Sequence, residues 1–168
     1  MEEYNVKALV IYFSRADENY AVGYITKGNT EVIAEYIQEL TGADLFKVEP
    51  KIPYAKDYNT CIEEAKVRQS THNAPILNEI SDISEYDTIY IGAPIYWGTM
   101  PEEMFTALSN LNFNGKNVKV FITHEGSGLA NVLNDVKKIC TGANVDNNGL
   151  AIRGSSVHNS KDIVENWI

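Results

Sequence analysis

Apolar and polar positions along this chain fall into two alternating rhythms. Val6–Phe13 (VKALVIYF) is β-branched and aromatic, and from Ala8 onward it is apolar on both faces. A parallel strand covered on both sides reads this way. From Thr30 the apolar residues Val32, Ile33, Tyr36, Ile37 and Leu40 recur at helical spacing, and Gly42 stands where a helix C-cap would lie. Asp44–Val48 predicts a second strand, stopped at Pro50. Asp57 predicts the cap of a helix over Tyr58–Ser70, with Cys61, Ile62 and Ala65, extended by Val67, as its inner face.

Thr88–Ala93 (TIYIGA) is again apolar on both faces. Pro101, Glu102 and Glu103 suit the first turn of a helix whose buried stripe is Met104, Phe105, Leu108 and Leu111. Val118–Thr123 predicts the fourth strand, Leu129–Ile139 a helix, Gly149–Ile152 a last short strand and Ser160–Trp167 a terminal segment. Such strand-helix alternation predicts the α/β class: a doubly wound, five-stranded parallel sheet, built as a single domain over residues 1–168. Ligands of such sheets bind outside the C-terminal ends of the strands.

Composition narrows the picture without naming a function. At 168 residues and 44% hydrophobic, with no apolar run of membrane-spanning length and an acidic start (MEEYN), the expectation is a soluble, cytoplasmic protein. The net charge of −9, from 14 Lys+Arg against 23 Asp+Glu, disfavours nucleic acid and acidic membranes as partners and favours a basic protein surface. Acidity also serves plain solubility. Cys61 and Cys140 lie far apart with no CxxC and no His at ligand spacing, so they read as small buried residues.

Chemistry concentrates in three loops that leave predicted strand ends. The first carries Ser14 and Arg15, is interrupted by residues 16–27 (ADENYAVGYITK), and resumes at Gly28-Asn29-Thr30 at the start of a helix. A strand-to-helix turn places free backbone N–H groups at the positive end of the helix dipole, which is a phosphate site in outline. The same residues also serve as ordinary caps and turns. The interruption shows neither strand nor helix rhythm and reads as an inserted surface loop, open to use as a lid.

In the second loop, after Thr88–Ala93, the large aromatics Tyr96 and Trp97 stand where short polar residues would be expected. They call for a flat partner, or fold back on the core. The third loop, His124–Gly128, offers two glycines and a hydroxyl. It is no dinucleotide fingerprint, since Asn131 occupies the third glycine position, and no nucleophile elbow, since Glu125 occupies the first. His124 beside Glu125 reads as a supporting or surface pair.

A monophosphate turn, an aromatic loop and a glycine-rich loop in this order fit a ligand with one phosphate and a flat ring. The motifs YFSR…GNT, GAPIYWGTMP and THEGSGLANV resemble those of the flavodoxin family, in a short-chain branch, over nearly the whole chain. The resemblance implies a flavodoxin-like fold and a non-covalently bound FMN. It implies that Ser14, Arg15, Asn29 and Thr30 hold the phosphate and that Pro94, Ile95, Tyr96, Trp97 and Gly98 hold the isoalloxazine ring. Glu125, Gly126, Ser127 and Gly128 would close the site; no catalytic or metal-binding residue is implied.

The chain departs from the family pattern in two places. Its phosphate loop is broken by residues 16–27, and the long acidic insert of larger flavodoxins is missing. The function implied is electron transfer between a reductase and an acceptor, with redox partner proteins that dock through a basic face. The alternatives are a NAD(P)H-dependent quinone or nitro reductase of the same fold, and a non-redox ligand-binding module. The lack of anything resembling a second nucleotide site favours the carrier.

Overall fold

The computed structural model describes residues 7–168, so Val6 of the first expected strand and the acidic start lie outside the described residues. In chain order the elements are β1 (Ala8–Tyr12), β2 (Asp17–Asn19), β3 (Gly23–Ile25), α1 (Asn29–Thr41), β4 (Asp44–Lys47), α2 (Tyr58–Thr71) and β5 (Thr88–Pro94). They continue with α3 (Glu102–Leu108), β6 (Asn117–His124), α4 (Val132–Ile139), β7 (Asn144–Val145), β8 (Leu150–Arg153), a 3-10 helix (Gly154–Asn159) and α5 (Lys161–Trp167).

The main sheet runs β4-β1-β5-β6, with β7 and β8 sharing the far edge of β6, and every pairing is parallel. This is a doubly wound α/β order whose winding reverses between β1 and β5. The expected fifth strand is two pieces in one edge position: β7 pairs with Asn117 and Val118, and β8 with Phe121–His124. Between them Asp146 turns the chain out of the edge, its Oδ1 accepting the Asn148 N–H at 2.8 Å.

Strand pleating sorts β1 onto both layers. Leu9, Ile11 and Phe13 face one core with Met104, Leu108, Val132 and Val136, while Val10 and Tyr12 face the other with Ile33, Ile37, Val164 and Trp167. Helices α3 and α4 therefore cover one face of the sheet, and α1 and α5 the other. Gly92 has a packing reason, because a Cβ there would stand 2.0 Å from Cζ of Phe121.

Local signals held where their partners were local. Asp57 accepts the Thr60 N–H at 2.9 Å, and Gly42, at φ 74°, ends α1 by donating to Gln38 O. Others gave way. Val67 is exposed rather than inner, and α3 stops at Leu108, before Leu111. Helix α4 starts at Val132, not Leu129, because Gly128 (φ 62°) and Ala130 (φ 46°) are left-handed. Residues 16–27 do contain strand: β2 and β3 pair as an antiparallel ribbon. Among the described residues no helix is long and apolar enough to cross a membrane, and no His/Cys/Asp/Glu cluster suits a metal ion.

Candidate functional site

The three loops converge, with the ribbon and α2, around a cavity of about 370 Å³ at the C-terminal edge of the sheet. Ten of the thirteen sequence-nominated residues line it: Arg15, Asn29, Thr30, Pro94, Ile95, Tyr96, Trp97, Glu125, Gly126 and Ser127. Ser14, Gly98 and Gly128 do not line it, and each shapes a turn instead.

Ser14 Oγ accepts the Glu31 N–H at 2.9 Å and so caps α1 from outside the helix. Gly28 must be glycine there, since a Cβ would meet that Oγ at 2.1 Å. Asn29 and Thr30 then stand at the helix N-terminus beside the cavity. The buried hydroxyls of Thr30 and Thr123 are 2.8 Å apart. A hydroxyl that accepts from Thr123 keeps its own proton to donate to a ligand oxygen.

Arg15 lines the cavity, but its terminal nitrogens are engaged by carbonyls. They donate to Glu18, and at 2.7 Å each to Ala55 and Lys56. Its work is to brace the ribbon. Glu18 adds its N–H to Lys56 O at 3.2 Å and accepts the Tyr58 N–H at 2.6 Å on its carboxylate. The insert is thus a docked wall rather than a free loop, and it brings Tyr20 to 5.7 Å from the Tyr58 ring at the cavity.

In the second loop Tyr96 and Thr99 close a tight turn, with Tyr96 N–H to Thr99 O at 2.7 Å. Trp97 (φ 52°) and Gly98 (φ 84°) at its tip are left-handed. That conformation is costly for a bulky residue, so neighbours must over-determine it. Trp97 Nε1 donates to Ile62 O at 2.7 Å, Gln69 Nε2 donates to Trp97 O at 3.3 Å, and the Lys66 ammonium sits 5.2 Å over the indole. The indole therefore lies against α2, about half exposed.

Tyr96 packs edge-on against Phe13 and Tyr54, each at 5.7 Å. Burial holds its phenol well above the ordinary tyrosine range, so it stays neutral. Below it Tyr54 donates to both oxygens of Glu103, at 2.5 and 2.9 Å. Arg68 reaches Glu103 at 3.4 Å and stacks 3.8 Å over the Tyr54 ring. Glu103 is completely buried rather than solvent-facing at the start of α3, and burial raises its carboxyl above the usual range against the pull of Tyr54 and Arg68.

The third loop is built on His124. Its Nδ1 accepts the N–H groups of Gly126 at 2.9 Å and Gly128 at 3.1 Å. Burial, with Arg153 nearby, lowers its pKa and keeps the ring neutral. Glu125 Oε1 is buried without a partner among the described residues, and burial raises its carboxyl. A Cβ on Gly154 would stand 2.2 Å from that oxygen and 2.3 Å from Asn29 Nδ2. This glycine, absent from the sequence reading, is where the third loop and the α1 N-terminus meet.

Sequence reasoning also missed Asn19, Tyr20, Tyr58, Cys61, Ile62, Ala65, Thr123 and His124 as lining residues. A signal existed for α2. Its inner face carries the small residues Cys61 and Ala65, and such a face leaves room. Both cysteines are buried, as expected, with raised thiol pKa values, Cys140 to about 12.

The flavodoxin family model matches residues 7–168. A protein of Bacteroides uniformis, its crystal structure assigned as a flavoprotein, is 25% identical, with a TM-score of 0.76 over 97% of each chain. One from Bacteroides eggerthii, assigned likewise, is 25% identical, with a TM-score of 0.70 over 95% of this chain and 98% of that one. A flavoprotein of Lactobacillus acidophilus, crystallised in complex with FMN, is 21% identical and shares the fold at a TM-score of 0.65, covering 94% of this chain and 99% of its own. No curated protein matches the chain.

Proposed function

The chain belongs to the flavodoxin family, and from that premise we propose that it binds FMN in this cavity and carries electrons between a reductase and an acceptor in the cytoplasm. One observation carries the reading: a single cavity joins the N-terminus of α1 to the aromatic second loop, with the third loop between them. The residues present fit the cofactor. Asn29, Thr30 and the backbone of the first α1 turn offer a phosphate hydrogen-bond donors and the helix dipole. Pro94, Ile95, Tyr96 and Trp97, with Ile62 and Ala65 of α2, offer a flat ring apolar walls.

FMN supplies one- and two-electron transfer when bound. The chain's own part is to bind and orient it. Trp97, pinned by Ile62 and Gln69, presents a fixed indole, and Tyr96 and Tyr54 support the floor beneath. The third loop turns backbone groups of Gly126 and Ser127 into the cavity rim. The acidic surface suits redox partners with a basic docking face.

The test is a titration of the purified protein with FMN and with riboflavin. FMN binds more tightly if α1 holds the phosphate; equal affinity removes that assignment. A second reading has its own observation. Tyr20, 60% exposed beside Tyr58, extends the aromatic surface past the ring loops, as a pocket for a second flat molecule would. Anaerobic NADPH separates the two: direct bleaching of the flavin supports a quinone or nitro reductase, and inertness until a separate reductase is added supports the carrier.

A further inference from the structure

The imidazole of His124 braces the turn that follows β6 from within. Gly126 and Ser127 are exposed, and Gly126 (φ 137°) and Gly128 (φ 62°) take backbone conformations that leave their N–H groups pointing back at the start of the turn. Both N–H groups converge on one nitrogen. A nitrogen that accepts two hydrogen bonds carries no proton, so His124 is the neutral tautomer with its proton on Nε2. An imidazolium donates at both nitrogens, and it would set an N–H against the two amides it now receives.

We propose that His124 is the positioning residue of the flavin site: neutral, it folds residues 124–128 into the binding conformation, and protonated at Nδ1 it releases that loop and weakens flavin binding. This rests on the cavity being a flavin site. The charged groups nearby are Arg153 on β8, whose guanidinium stands 3.9 Å from where a Gly126 Cβ would be, and Glu125 on the loop itself. Arg153 opposes protonation, as burial does. The folded pKa therefore lies below the ordinary value of about 6.5. The loop is fully held above that value and is lost as pH falls through the lowered one.

Riboflavin is the discriminating probe, because it lacks the phosphate whose own second ionisation lies near about pH 6. Its affinity, read by fluorescence, is followed from about pH 7.5 to about pH 5 in wild type, His124→Asn and His124→Gln. Asparagine places Oδ1 where Nδ1 stands and does not titrate; glutamine carries its acceptor too far out. Wild type is expected to weaken on acidification by roughly ten- to a hundredfold, the worth of two hydrogen bonds. His124→Asn should stay tight and flat with pH, and His124→Gln weak throughout.

In the free protein the Gly126 and Gly128 amide resonances should shift together with the imidazole titration. A pH dependence kept in His124→Asn, weak binding by both variants, or wild-type binding by His124→Gln overturns the proposal. If wild type binds neither riboflavin nor FMN at any pH, the flavin reading fails. The amide resonances then decide separately whether His124 holds the loop.

Discussion

Loops at the ends of the neighbouring strands β5 and β6 are built by opposite means. The β5 loop is held from a distance: Ile62 and Gln69 grip Trp97, Asp135 accepts from Thr99 at 2.5 Å, and Tyr54, Arg68 and Glu103 lock beneath Tyr96. The β6 loop is held from within, by one imidazole and two left-handed glycines. Long-range bracing fixes a strained aromatic through partners spread over α2, α3 and α4. Local bracing leaves a loop whose order depends on one titratable nitrogen and on close packing at Gly154.

The sharpest break of the first kind of bracing is Glu103→Ala. It strips Tyr54 and Arg68 of a fully buried partner, and uncoupling such a group costs about 3–5 kcal/mol. Urea unfolding measures it, and a loss under about 1 kcal/mol would show that the cluster is incidental to the β5 loop. Next is Gly154→Ala, which drives the third loop away from α1. Overpacking of about 1–3 kcal/mol predicts FMN binding weaker by roughly ten- to a hundredfold. Unchanged FMN affinity would separate that junction from the site.

Smaller effects sharpen the contrast. Trp97→Phe keeps a ring but loses the bond to Ile62, a cost of about 1 kcal/mol, while Trp97→Ala also removes the indole face offered to the flavin, worth about 1 kcal/mol of stacking, and should raise the emission of bound flavin, which a stacked indole quenches. Emission unchanged in the alanine variant places the ring elsewhere. Smallest is Ser14→Ala, expected to cost about 0.5–1 kcal/mol of fold stability as a lost helix cap and to leave riboflavin affinity as it was. A drop in riboflavin binding would return Ser14 to the cavity wall.

Fold and site were legible to different depths. Doubly covered strands, the helical rhythm after Thr30, the Asp57 cap and the Gly42 stop are short-range patterns, and each appears within a residue or two of where the chain placed it. The three loops were legible as a set because strand ends in a doubly wound sheet gather at one edge. Missed were the contributions of α2 and the ribbon. A cavity wall of Cys61, Ile62 and Ala65 looks in sequence like any inner helix face.

The sequence by itself determined the order of elements, the edge at which they converge and most of the residues found there, because hydrophobic period and turn chemistry act between neighbours. Only the tertiary structure decided what those residues do. Arg15 turned to Ala55 and Lys56, Glu103 went inside to meet Tyr54 and Arg68, and residues 16–27 became a wall through Lys56 and Tyr58. Each depends on partners about 35 to 50 residues away in the chain. A charged or aromatic side chain takes the direction in which its desolvation is best compensated, and that direction exists only once distant segments are packed together.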